Sequence, residues 1–153
     1  MSVDYIVSSL PTLSLDQPAP MTWERFVETA GESVVRDLDE GLWRDLETQL
    51  RNAVAEARGG DRYRREAEGC SLYWKNRVLA CFQERDPLKR EEALDRVWWD
   101  AAGELVPPAS PLGKDALAAY AVRLRIALKR SAVSREAGNA AFDRLTSATK
   151  KEF

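Results

Sequence analysis

The stretch Leu42-Trp-Arg-Asp-Leu-Glu-Thr-Gln-Leu-Arg-Asn-Ala-Val-Ala-Glu-Ala57 decides the fold class. Leu42, Leu46, Leu50, Ala53, Val54 and Ala57 recur at steps of three and four, with charged side chains between them. That spacing puts the apolar groups on one stripe of a helix. Gly41 breaks the chain before it and Gly59-Gly60 ends it.

The same rhythm continues downstream. Asp61 is placed to cap a helix to about Arg85, carrying Tyr63, Ala67, Cys70, Trp74, Val78, Cys81 and Phe82. Asp86-Pro87 supplies a cap and a proline in the first turn for the next helix, with Leu94, Val97, Trp98, Ala101 and Leu105 on one side. Residues 106–113 hold three prolines and form a stiff linker. One closing helix, from about Lys114 to Ser131, buries Leu117, Tyr120, Ala121, Leu124 and Leu128. Another starts at Ser134 as N-cap and carries Ala137, Ala141, Phe142 and Leu145.

Upstream, Thr22 caps a short helix to about Ala30, Gly31 stops it, and a second short piece covers Glu32 to Leu38. Residues 1–21 are rich in serine and proline and nearly uncharged, yet too apolar to extend freely into water. They predict a short strand or single helical turn at 4–9, then an extended strap to Pro20. The expectation is one all-α domain spanning 1–153, a helical bundle of four main helices plus two short ones with a Pro-containing N-terminal strap. Its parts are the strap at 1–21, short helices and three long helices over 22–105, the linker at 106–113 and a C-terminal helix pair at 114–150.

Composition narrows the function. A chain of 153 residues, 44% hydrophobic and 31% charged, folds as one domain without staples or metal. The start lacks the charge, apolar run and cleavage site of a secretory signal, and no apolar run is long enough to span a membrane. These features predict a cytoplasmic chain. Cys70 and Cys81 are eleven residues apart, which on a continuous helix puts both on one face, out of disulfide reach. Residues 1–57 hold 11 acidic and 4 basic side chains, and the remainder 14 and 19. Such polarity either steers a partner or cancels when the halves pack together.

There is no histidine, which removes the commonest general base and metal ligand. No glycine-rich phosphate loop appears, Ser8-Ser9 has no neighbouring base, and two cysteines cannot build a zinc site. The expectation is no enzyme, no cofactor, no metal and no small-molecule substrate. Arg58, Arg62, Arg64 and Arg65 with Tyr63 resemble a basic-aromatic nucleic-acid patch, and Tyr73, Trp74, Lys75 and Arg77 follow. Glu66 and Glu68 interrupt it, and a pI near 5.4 argues against phosphate-backbone binding. The alternative is that these cations pair with the acidic front of the chain.

Trp23, Trp43, Trp74 and Trp98 fall on apolar stripes and read as core. Trp99 lies about 100° round its helix from Trp98. Either the apolar face is unusually wide, or Trp99 protrudes as an interface anchor. The candidate partner surface therefore combines Trp99 with the strap residues Tyr5, Val7, Leu10, Pro11, Leu13 and Leu15.

The opening Tyr5-Ile6-Val7-Ser8-Ser9-Leu10-Pro11-Thr12-Leu13, followed by Pro18, Pro20 and Trp23-Glu24-Arg25-Phe26, resembles a small uncharacterised bacterial family. Its genes lie among those for V-type (archaeal-type) ATPase subunits. Ala118-Ala119-Tyr120-Ala121-Val122-Arg123-Leu124, leading to Gly138 and Phe142, is similar to that family's closing helices, and 76–87 more weakly so. Asp4 stands where the pattern would place another aromatic. The resemblance implies a non-catalytic accessory or subunit-C-like stalk component of a V/A-type ATPase, contacting other subunits and lying at the membrane periphery through them. It carries no active-site residues. A free-standing helical adaptor or regulator is the alternative, with a nucleic-acid binder behind it.

Overall fold

The computed structural model describes residues 2–59, 65–67, 69 and 71–151. Among them lie seven α-helices and no strand: α1 (Val3–Ser9), α2 (Trp23–Ala30), α3 (Glu32–Glu40), α4 (Leu42–Ala57), α5 (Leu72–Cys81), α6 (Pro87–Gly103) and α7 (Lys114–Lys151). No helix among the described residues is long and apolar enough to cross a membrane.

The bundle is built around the first half of α7. Leu117, Ala119, Ala121, Val122, Leu124, Ile126 and Ala127 are all buried, and they point in every direction round the axis. A helix apolar on all sides belongs inside, surrounded by its neighbours. Each of α2 to α6 contributes a fully buried side chain to the core, Phe26, Leu38, Leu50, Val78 and Ala101, with α2, α3 and α6 packed on α7, and α4 and α5 packed on each other and on α6. Phe26 stacks on Tyr120 of α7, ring centroids 5.6 Å apart. α6 runs antiparallel to α7, since Asp95 meets Lys129 at 3.4 Å while Arg123 Nε donates to the Trp99 carbonyl at 3.1 Å. Gly103 makes room for that arginine, because a Cβ there would lie 2.9 Å from an Arg123 nitrogen.

Local signals set most boundaries. The Thr22 hydroxyl accepts from Arg25 N, and Asp86 accepts from Leu88 N ahead of Pro87. α2 meets α3 at Gly31, where φ is +93°, a conformation glycine adopts without steric cost. The helix over 42–57 has the bounds expected of it.

Three expectations are corrected. The proposed helix from Asp61 to Arg85 is a ten-residue helix capped by Ser71, whose hydroxyl accepts from Trp74 N. Asp61, Tyr63 and Cys70 lie outside the described residues. The segment before α5 instead lies along α4, held by its polar face. Asn52 bonds both main-chain groups of Arg65, Asp45 accepts from Gly69 N, and Gln49 accepts from Ser71 N. Asp45, Gln49 and Asn52 are four and three residues apart, so one helix face supplies all these bonds. They satisfy backbone groups that a longer helix would have satisfied internally.

The C-terminal pair is one helix of 38 residues. Nothing between Ser131 and Ser134 breaks a helix, so Ser134 does not become a cap. The bundle therefore has four longer helices and three short ones among the described residues. At 4–9 the helical one of the two expected alternatives is found, with Ser8 and Ser9 hydroxyls donating back to the Asp4 and Ile6 carbonyls. Trp98 and Trp99 also exchange roles, as described next.

Candidate functional site

The strap residues divide between core and surface. Leu15 is buried, as is Ile6 beside them, while Val7, Leu10 and Leu13 are partly buried against the core. Tyr5 is exposed, and so is Pro11. Beyond α1 the strap is non-helical, interrupted by a turn in which Gln17 N donates to the Ser14 carbonyl. Its main chain is fixed by α7: Tyr120 Oη donates to the Pro11 carbonyl and Ala19 N donates to Ser131 Oγ at 3.3 Å. Burial raises the Tyr120 phenol above its ordinary pKa. Leu15 is thus core, and of the candidate partner residues on the strap (Tyr5, Val7, Leu10, Pro11, Leu13 and Leu15) Tyr5 and Pro11 are the two that are exposed.

Trp99 does not protrude. It is 8% exposed, with the Arg123 guanidinium 5.3 Å over its ring. Burial lowers the Arg123 pKa, and Asp100 opposes that effect. The buried arc of α6 takes in Leu94, Val97, Trp99, Ala101 and Ala102, so the wide-face alternative is the one realised. Trp98, expected in the core, is only partly buried. It lines a cleft of about 800 Å³ between α4, α6 and α7, with Val54, Leu94 and Ile126 as apolar neighbours. Sequence pattern could not find this cleft, because a stripe shows which way a side chain points and not whether the neighbouring helix closes over it.

The expected basic patch is dispersed. Arg62, Tyr63 and Arg64 lie outside the described residues. Lys75 pairs with Glu56 at 3.2 Å, and Arg77 with Asp100 at 2.9 Å, while Arg58 lies over Phe82. Lys75–Glu56 and Arg96–Asp16, at 3.8 Å, join the acidic front of the chain to its basic remainder. Cys81 is buried, and its thiol pKa is pushed up by burial, so it does not present an activated thiolate.

Away from the strap, exposed apolar side chains lie at Leu72 and Tyr73 on α5, at Leu88 on α6 and at the far end of α7. Among the described side chains of this last helix the final buried one is Ala127; further along, Val133 is 50%, Phe142 68% and Leu145 69% exposed. The stretch 132–151 continues as helix, about 30 Å long. Leucine and phenylalanine facing water three residues apart form a small apolar step on a rigid rod.

The chain matches no protein-family model, no curated protein and no solved structure.

Proposed function

We propose that this chain is a non-catalytic adaptor that docks a protein partner through the outer half of α7. The observation carrying this reading is that α7 continues past the bundle while the described apolar side chains there face outward. Covering a phenylalanine or leucine is worth roughly 1.5–3 kcal/mol, so Phe142 and Leu145 are the natural anchors of such a contact. Tyr5, exposed on α1, adds a second apolar contact point.

The resemblance of the opening segment supplies the partner class. On that reading the chain is an accessory or subunit-C-like stalk component of a V/A-type ATPase, bound through protein contacts. A helix reaching beyond its own bundle suits a stalk contact. The test is purification of the tagged full chain from its native cell, beside a Phe142→Asp variant. Co-recovery of ATPase subunits with the natural chain, lost in the variant, supports the proposal. Recovery of an unrelated protein at comparable abundance would favour the free-standing adaptor, and recovery equal in both chains would remove α7 from the contact.

A further inference from the structure

Arg44, Arg51, Arg65 and Arg125 line one hollow of about 400 Å³, in which Glu47 is the only carboxylate among the described residues. Three separate segments deliver these arginines. Arg44 and Arg51 are seven apart on α4, two turns along one face. Arg125 comes from α7, its guanidinium held 4.5 Å over the Trp23 ring. Arg65 comes from the segment after α4. The Asn52 carboxamide fixes it by two main-chain bonds of 2.6 and 2.9 Å.

Glu47 is engaged by Arg51 at 3.2 Å. Arg44, Arg65 and Arg125 have no carboxylate partner among the described residues. Like charges gathered in one hollow repel, and an anion relieves the repulsion. Guanidinium forks match phosphate oxygens in geometry as well as charge. The hollow adjoins the cleft beside Trp98: Glu47, Arg51 and Arg125 line both. In that cleft Lys129 is paired with Asp95, and Glu91 and Arg58 stand on the rim. The cleft itself is therefore nearly balanced in charge and apolar at its base, while the hollow is cationic.

We propose that the hollow and cleft together bind a phosphate-bearing ligand with an apolar or aromatic body. Arg44, Arg65 and Arg125 hold its phosphates, and Trp98 with Leu94 and Ile126 receives its body. Three guanidiniums with no carboxylate partner among the described residues suit a diphosphate or a doubly charged phosphate monoester better than a single carboxylate. The arginines surround a hollow and do not form a track, which disfavours a nucleic-acid strand. This site is distinct from the outer half of α7 and stands whether or not the adaptor reading holds.

The test titrates the full chain with four probes: pyrophosphate, adenosine diphosphate, phosphatidic acid vesicles beside phosphatidylcholine vesicles, and a single-stranded oligonucleotide. The expected result is that pyrophosphate binds and that one probe with a body binds about tenfold tighter. A gain with the diphosphate marks a soluble ligand, and a gain with phosphatidic acid alone marks a lipid headgroup. The exposed pair Arg44→Ala/Arg65→Ala should lose about tenfold in affinity for every phosphate probe. Asn52→Ala keeps all the arginines and only releases Arg65, and should lose less. Trp98→Ala should abolish the gain from the body and leave pyrophosphate binding unchanged, with far-UV dichroism confirming the fold of each variant. The proposal is overturned if the folded chain binds no phosphate probe, if the double variant binds as well as the natural chain, or if the oligonucleotide binds tighter than every small probe.

Discussion

Tyr120 Oη donates a 2.6 Å hydrogen bond to the carbonyl of Pro11, 109 residues earlier in the chain. Eleven residues further along α7, Ser131 Oγ accepts from Ala19 N. The strap therefore follows the central helix in the same direction, while Ile6 and Leu15 enter the core. A segment tied in this way contributes to stability, and its loss is felt by the whole bundle.

Replacing Leu15 with alanine should cost about 2–4 kcal/mol of unfolding free energy. Tyr120→Phe removes one hydrogen bond and keeps the ring on Phe26, and should cost about 1 kcal/mol. Urea denaturation measures both. A Leu15 variant as stable as the natural chain would show that the strap does not pack as described.

The neighbouring tryptophans should differ sharply. Trp99→Ala empties a buried volume under Arg123 and should cost about 3–5 kcal/mol. Trp98→Ala removes a ring that is only partly buried and should cost less, roughly 1–2 kcal/mol. Equal losses in thermal or urea unfolding would contradict the exchange of roles between the two positions.

Asp95 gives a pH signature. Burial raises its pKa above the ordinary aspartate value, a shift that Lys129 only partly offsets. A carboxyl whose folded pKa is raised stabilises the fold while protonated, and that contribution is lost as pH rises through the folded value. Asp95→Asn should therefore raise stability at neutral pH, with the gain fading as pH falls below the range of an ordinary aspartate. Thermal midpoints collected across that range, with a gain that instead grew toward acid, would reverse the sign.

Ending the chain after Ser131 should leave the bundle intact. Side chains described beyond that point are mostly exposed, so unfolding free energy should change by less than about 0.5 kcal/mol. Far-UV dichroism should fall because helical residues are lost, and partner recovery should fall with it. A marked loss of stability would place the outer half of α7 within the cooperative fold.

The helices with strong stripes and local caps were legible because their signals sit within a few residues. Thr22, Asp86-Pro87, Gly31 and the stripe of α4 each act on their own turn of chain. The segment before α5 was not legible. Asp45, Gln49 and Asn52 look like ordinary polar positions, and their partners lie 24, 22 and 13 residues away. The unbroken α7 was misread for the opposite reason: serine is a fair cap, yet without glycine or proline nearby a helix already under way continues through it.

The candidate surfaces divided along the same line. Tyr5 was expected at the surface, but Phe142 and Leu145 read as the stripe of a packed helix, and only the tertiary structure showed them exposed, Leu15 and Trp99 facing inward and Trp98 lining a cleft. By itself the amino-acid order committed this protein to amphipathic helices with glycine and proline breaks, because periodicity and capping are properties of neighbours in the chain. Which faces meet, where a cleft stays open and where four arginines gather depended on contacts between distant segments. Those follow from how whole helices fit together, so only the tertiary structure could decide them.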